Sequence, residues 1–377
     1  MILYVGLTIL TVLLACAVNN RYEYSTEGKL DQKQSVLHCH GKIGRYMPRT
    51  RQQQMNMICM LTIFTILFLV SAGRYYVGND YGEYVDSFAK IYLNRTVSSE
   101  MGFNGVVKFV QFLCGKDQFI PIFAVFSFGT VFFFMKAVYD QSDWFGYSFF
   151  LFMASGFYLS SLNTVRYYFA LAIAMYAAKY MIQRDYARFL FWIVIAAFFH
   201  KTVLIVIPVY WFATRKWKKR EMAAVLALCA SLVLFKDFYR KLIFMIYPYY
   251  ENTRFDTGNT SYINIAKGLC ILVFALLYYK AAIKDNRQNM FYFYLNIASL
   301  LVYVFASFIP EVSRISFYFN AFQIFLIPNI IKRIEDQRQK RIFGIIIALA
   351  YVAYFAIFIH RAGGVELRII PYATWIL

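Results

Sequence analysis

Carboxylates are scarce in this chain: 20 Asp and Glu stand against 39 Lys and Arg, and charged residues of both signs make up only 16% of it. No Asp-x-Asp pair of the kind that holds a divalent ion beside a nucleotide sugar occurs, and no Walker loop. A soluble nucleotide donor, ATP, a metal or another cofactor is therefore not expected. Cysteines are also few: Cys16, Cys59, Cys229 and Cys270 lie in apolar runs, Cys39 lies in a basic stretch, and Cys114 alone falls in a polar external segment. That pattern gives no disulfide framework. His38-Cys39-His40 supplies three close ligands but has no matching cluster elsewhere, so it reads as solvated loop. No soluble domain, long linker, low-complexity tract or repeat is visible.

Hydrophobic residues fill the space, at 60% of the chain with 20% aromatic, which describes an all-α polytopic membrane protein. Hydropathy gives about twelve crossings of roughly 30 Å of hydrocarbon. They fall near 2–18, 55–73, 119–139, 145–161, 165–182, 187–200, 202–214, 222–236, 264–281, 291–308, 315–331 and 342–360. The pair flanking His200 is short, which leaves a re-entrant hairpin open there. The first segment, Ile2 to Val18, lacks a basic leader and a small-residue cleavage site and reads as a retained anchor.

Basic residues crowd alternate loops, and positive loops stay cytoplasmic. Arg215, Lys216, Lys218, Lys219 and Arg220 share one loop; Lys332, Arg333, Arg338, Lys340 and Arg341 share another. With Arg184 and Arg188, then Lys280, Lys284 and Arg287, and the long basic loop 19–54, these give one alternation with both termini external. The net charge of +19 is explained by this distribution, with lipid phosphates as a secondary attraction and no nucleic-acid module in sight. The whole chain, 1–377, then forms a single membrane domain. Its largest external segments are 73–118 and 236–263, the first holding an amphipathic stretch of Val106, Val107, Phe109, Val110, Phe112 and Leu113 that suits a short interfacial helix.

Against this background the polar breaks stand out, since an Arg at the centre of a membrane helix costs roughly 2.5–3.5 kcal/mol on insertion scales. Asn163 and Arg166 mark one break and His200 and Lys201 another, and the alternation puts both on the external side. The same side receives Arg314 and Tyr318, and the segment Arg74-Tyr75-Tyr76-Val77-Gly78-Asn79-Asp80-Tyr81-Gly82-Glu83-Tyr84 just outside the second span. Taken singly, each Arg reads equally well as snorkelling to the interface, and the tyrosines as an aromatic belt. Together the Arg forks suit a phosphate-rich ligand, the tyrosines suit sugar stacking, and Asp80 is the carboxylate that stands out.

Those residues carry a resemblance. Arg74 with Gly78-Asn79-Asp80-Tyr81 and Tyr84, then Asn163-Thr164-Val165-Arg166, Phe199-His200-Lys201-Thr202 ahead of Pro208, Arg314 and Tyr318, and Ile370-Pro371-Tyr372 resemble, in that order, the EpsG family. Its members belong to bacterial exopolysaccharide and capsule clusters and are similar in role to Wzy-type polymerases. Tyr167-Tyr168 depart from the family, which often has a Gln after the Arg.

The resemblance implies a GT-C-like helical enzyme of the bacterial plasma membrane. It would transfer a growing glycan from one polyprenyl diphosphate carrier to the sugar of another lipid-linked repeat unit at the outer leaflet, without a metal. Carried over residue by residue, His200 or Asp80 would act as base and Arg166, Arg314 and Arg74 as pyrophosphate ligands, with Tyr81, Tyr84, Asn163, Lys201 and Tyr318 facing sugar. Partners would be the lipid-linked donor and acceptor, the bilayer, a chain-length regulator and a flippase, and no nucleic acid. A flippase of lipid-linked oligosaccharide, a membrane O-acyltransferase and a structural subunit remain open as other readings.

Overall fold

The computed structural model describes residues 1–20, 51–115, 118–246, 251, 261–309, 312–364 and 367–375. Most of the basic loop 19–54 with His38-Cys39-His40, Pro310-Glu311, and much of the external segment 236–263 lie outside the described residues. Among the described residues the regular structure is helical, with one antiparallel bridge between Arg74 and Thr374. In chain order the α-helices are α1 (Ile2–Cys16), α2 (Arg51–Ala72), α3 (Tyr81–Tyr92), α4 (Met101–Cys114), α5 (Ile120–Gln141), α6 (Phe145–Ala154), α7 (Phe157–Ser161), α8 (Val165–Gln183) and α9 (Tyr186–Ala197). After a 3-10 turn (Lys201–Ile205) come α10 (Val206–Ala213), α11 (Lys219–Leu234), α12 (Lys236–Ile246), α13 (Tyr262–Leu277), α14 (Arg287–Phe305), α15 (Val312–Asn320), α16 (Gln323–Lys332) and α17 (Gln337–Arg361), with a π turn (Tyr279–Ile283) before α14.

Three helices, α2, α5 and α17, are each long and apolar enough to cross a membrane; α11 and α12 make a fourth only if their 83° bend belongs to one span. Several expected crossings are broken or short. Residues 145–161 form two helices because Gly156 turns the chain at φ 76°, a left-handed conformation that glycine adopts without a Cβ penalty. Residues 315–331 break between α15 and α16. On either side of His200, α9 and the stretch Lys201–Ala213 are short apolar helices; the 12 residues of α9 reach about 18 Å, well under the hydrocarbon thickness.

Among α5, α2 and α17 the more apolar the helix, the less of it is buried, as expected where lipid rather than water is the surrounding solvent. α8 and α14, both of 19 residues, are mostly buried and carry tyrosines inward, α14 with Asn289 and Asn296 besides. α17 buries only Tyr351 and Ile359 and turns the rest of an apolar surface outward. α8 is the centre of the fold: Ala170, Ala172, Ala174, Ala177 and Ala178 are fully buried and let α5 and α9 pack closely against it. Toward the end of α8 near Gln183, polar side chains pair inside the bundle rather than facing lipid. Asn289 accepts from Asn329, whose Oδ1 receives the Asp143 amide at 2.7 Å, and Arg333 pairs with Asp143.

At the opposite end, α3 and α4 lie over the bundle. Phe103, Val107 and Val110 of α4 pack with Tyr84 and Phe88 of α3 and Phe123 and Phe126 of α5 in an aromatic cluster. The other side of α4 exposes Phe109, Phe112 and Leu113, an arrangement suited to a helix lying at a membrane surface. The C-terminal segment returns to the same end. Gly78 and Asn79 donate to the carbonyls of Arg368 and Leu367 at 3.0 Å, Tyr75 donates to Ala373 at 2.9 Å, and Tyr372 hydroxyl donates to Val70 at 2.9 Å. Ile370-Pro371-Tyr372 thus belongs to the segment that clamps the turn carrying Asp80.

Candidate active site at one end of the bundle

The turn before α3 is built on Gly78, whose φ of 103° is open to glycine and costly for other residues. A Cβ there would lie 3.0 Å from both Asn163 Cα and Leu162 O, so the turn and the break before α8 are in direct contact. The Asp80 amide donates to Asn163 Oδ1 at 2.9 Å, and the Thr164 hydroxyl donates to Asp80 Oδ2 at 3.1 Å. Two motifs more than 80 residues apart are therefore joined through an asparagine amide and a carboxylate.

Arg166 sits in the first turn of α8, where the positive end of the helix dipole disfavours a cation. Its backbone amide donates to Tyr84 hydroxyl at 3.3 Å, its guanidinium lies 5.3 Å over the Phe103 ring, and it pairs with Glu100 at 2.6 Å. Glu100 is the N-cap residue of α4 and does more than hold Arg166. Its other oxygen accepts from the Lys201 amide at 3.3 Å and stands 3.7 Å from His200 Nδ1.

His200 lies in the turn between α9 and the 3-10 helix, outside either. Both of its ring nitrogens are buried without a hydrogen-bond partner, and Tyr167 meets the ring edge-on at 5.4 Å. Burial first, then the positive charges of Arg166, Arg314 and Lys201, push the imidazole down to about 3. The imidazole is thus neutral at physiological pH, and at 3.7 Å its approach to Glu100 is neither a hydrogen bond nor an ion pair.

Tyr167 links the cluster to α15: its hydroxyl donates to the Arg314 carbonyl at 2.7 Å and its ring meets Tyr318 at 5.3 Å. Tyr318 is anchored in turn by Tyr210, whose hydroxyl donates to its carbonyl at 2.6 Å. A cleft of about 340 Å³ opens beside Glu100 and Lys201, bounded by Ser98, Ser99, Ala197 and Phe198. α4 meets that turn closely: the Gly102 amide donates to Phe198 O at 3.0 Å, with no room for a side chain between them.

Of the residues singled out by sequence, the structure gathers Asp80, Tyr84, Asn163, Arg166, His200, Lys201, Arg314 and Tyr318 around one end of α8. Arg74 and Tyr81 lie elsewhere. Arg74 is 1% exposed, donates to Ser71 O, and stacks 4.8 Å over Phe123. Tyr81 lies on the same Phe123 at 4.4 Å and donates to the Arg74 carbonyl at 3.4 Å. Both hold α3 to α5 beneath the site.

Glu100 escaped the sequence reading altogether. The available signal was Ser98-Ser99-Glu100 ahead of the amphipathic stretch, a helix start carrying one of the few carboxylates on that side.

Two half-buried arginines and an exposed lysine, one buried imidazole and two hydrogen-bonded carboxylates, with Glu100 and Lys201 lining the cleft, can hold an anionic group and move a proton beside it. The model of the EpsG family matches residues 57–374, which includes every residue of this cluster. No curated protein and no solved structure matches the chain.

Proposed function

Because the chain belongs to the EpsG family of Wzy-like polysaccharide polymerases, for which we propose a specific chemistry here, it is a multi-pass membrane protein of polysaccharide biosynthesis. In the proposed reaction, a growing glycan moves from one polyprenyl diphosphate carrier to the terminal sugar of a second lipid-linked repeat unit. The acceptor hydroxyl oxygen attacks the anomeric carbon of the donor glycan. The bond from that carbon to the diphosphate oxygen breaks, the electron pair leaves with the carrier diphosphate, and the hydroxyl proton passes to His200 or Asp80. Arg166 and Arg314 hold the leaving diphosphate, and Tyr84, Asn163, Lys201 and Tyr318 border the sugars, while Arg74 and Tyr81 support the floor.

The observation that carries this reading is the position of Arg166. A cation at a helix N-terminus, paired with a single carboxylate and sharing the neighbourhood of His200 with Lys201 and Arg314, is poised to exchange that carboxylate for an incoming diphosphate. Burial is the larger cause of the suppressed His200 basicity, and the diphosphate would offset the smaller part that comes from Arg166, Arg314 and Lys201. Basic loops kept on the cytoplasmic side would leave this end of α8 at the outer leaflet of the plasma membrane, with both termini outside. A flippase and a chain-length regulator would act before and beside it.

In a strain lacking the chromosomal gene, Arg166→Ala and Arg314→Ala at matched membrane levels should leave single repeat units on lipid and no polymer. Polymer of ordinary length from both variants would refute the diphosphate role. Comparing His200→Ala with Asp80→Asn in the same strain assigns the base to whichever abolishes polymer.

A further inference from the structure

At the far end of α8 the chain builds a second charged cleft that the polymerisation chemistry leaves unused. It measures about 880 Å³ and lies roughly 27 Å along α8 from Arg166, taking 18 residues at about 1.5 Å each. Six cations line it, Arg184, Arg215, Lys216, Lys218, Lys284 and Arg287, against two carboxylates, Glu221 and Asp285. Glu221 is already engaged, accepting the Lys218 amide at 3.0 Å as part of the α11 cap. The nearby Asp185 pairs outward with Arg188 at 3.3 Å.

Basic loops on one face are sufficient to orient a membrane protein, but orientation requires only that the charges stay on that side. Here three separate loops bring theirs into one concavity. Arg184 and Arg287 repel each other across it, and Arg287 Nε is buried without any hydrogen-bond partner. The first turns of α9, α11 and α14 contribute Tyr186, Glu221, Arg287 and Met290 to the lining, three positive dipole ends against the two C-terminal ends of α8 and α10 at Arg184 and Thr214. The six cations against two carboxylates leave the cleft with an excess of positive charge that favours an anion. Arg215 meanwhile lies 3.9 Å over the Trp211 ring, the nearest electron-rich surface.

We infer that this cleft binds a phosphate group, held chiefly by the Arg184 and Arg287 guanidinium groups, and that it is a site separate from the one at Arg166. Arg forks match tetrahedral oxyanions bidentately, and the location at the ends of bundle helices is the depth of a phospholipid headgroup as well as a place open to soluble phosphate. The inference does not depend on the polymerase reading.

The test uses the full-length protein in phosphatidylcholine nanodiscs, with thermal unfolding and Trp fluorescence as readouts. Inorganic phosphate is titrated at constant ionic strength against chloride, and separate discs replace part of the phosphatidylcholine with phosphatidylglycerol. Ligand that binds only the folded state raises the midpoint, so a rise of several degrees is expected, accompanied by a fluorescence change as Arg215 leaves Trp211. Arg166→Ala should retain that rise, whereas Arg184→Gln combined with Arg287→Gln should lose most of it. If the double variant fails to insert, Lys216→Gln with Lys284→Gln on the rim should reduce the rise in its place. A response to phosphatidylglycerol alone identifies a lipid headgroup, and a response to inorganic phosphate identifies a soluble source. An effect no larger than that of chloride, or one abolished by Arg166→Ala and kept by the cleft variants, overturns the inference.

Discussion

Gly102 offers a way to move the candidate site without touching any of its members. A Cβ built there would lie 2.6 Å from Phe198 Cβ and 2.9 Å from Phe198 O, about 1 Å short of ordinary carbon contact. Backbone on one side and a Cβ on the other leave no flexible side chain to yield, so Gly102→Ala should drive α4 back by approximately that distance. Glu100, two residues earlier, would move with it. Its 3.3 Å bond to the Lys201 amide would open, and its 2.6 Å pairing with Arg166 would stretch beyond hydrogen-bond range.

Overpacking of this kind costs about 1–3 kcal/mol, and a 1 Å displacement of a reacting constellation costs up to about 100-fold in rate. Gly105 supplies the control, since it lies on the same helix with nothing within 4 Å of its added Cβ. Gly105→Ala should therefore be neutral or stabilising by about 0.5–1 kcal/mol, the usual gain of Ala over Gly inside a helix. Thermal unfolding in nanodiscs and polymer yield at matched expression are the assays. Equal behaviour of the two variants would refute the claim that α4 positions the site through Phe198.

Three more outcomes follow from the same geometry. Glu100→Gln removes the charge that compensates Arg166 while keeping the side-chain shape, and should lower stability by about 1–2 kcal/mol; an unchanged unfolding midpoint would mean the pair contributes nothing. His200 has a folded-state value of about 3, below the roughly 6.5 of an unfolded imidazole, so its contribution is present above 6.5 and is lost as pH falls toward 3, at no more than about 1.4 kcal/mol per unit. His200→Gln should accordingly shrink the difference in midpoint between pH 7 and pH 5, and an identical difference in both proteins would contradict the burial of a neutral ring. Gly78→Ala forces a left-handed φ onto a residue with a Cβ and pushes against Asn163, at a cost of roughly 1–3 kcal/mol, measurable as a lower midpoint together with lost polymer.

Polar residues within an apolar chain are conspicuous, and that is why Asp80, Asn163, Arg166 and His200 were legible before any coordinates. Asp80 and Asn163 partner each other, while Arg166 pairs with Glu100 and His200 is buried as a ring against Tyr167. Glu100 was not legible for the opposite reason: a carboxylate after two serines at a helix start is ordinary, and its pairing with Arg166 spans 66 residues of sequence. Arg74 shows the limit of residue type as a guide, since an Arg that stacks on Phe123 and hydrogen-bonds Ser71 looks the same in sequence as one that faces a ligand.

Helical character was readable from hydropathy, but helix length was not. Within the mostly apolar run 145–161 the break falls at Gly156, and hydropathy is blind to it. The buried helices α8 and α14 mix tyrosine, and α14 also asparagine, into their faces because they touch protein, so these central helices carry a weak membrane signal.

The most direct measurement is polymerisation by purified protein in proteoliposomes supplied only with polyprenyl-diphosphate-linked repeat units, with products resolved by length. Wild-type protein should yield a ladder of glycans on lipid and release free polyprenyl diphosphate in equal number to the new linkages. Arg166→Ala combined with Arg314→Ala, folded to the same midpoint, should yield neither. A ladder from the double variant matching that of the wild type, or no ladder from the wild type with lipid-linked units instead crossing the bilayer, would contradict chemistry at the Arg166 end of α8.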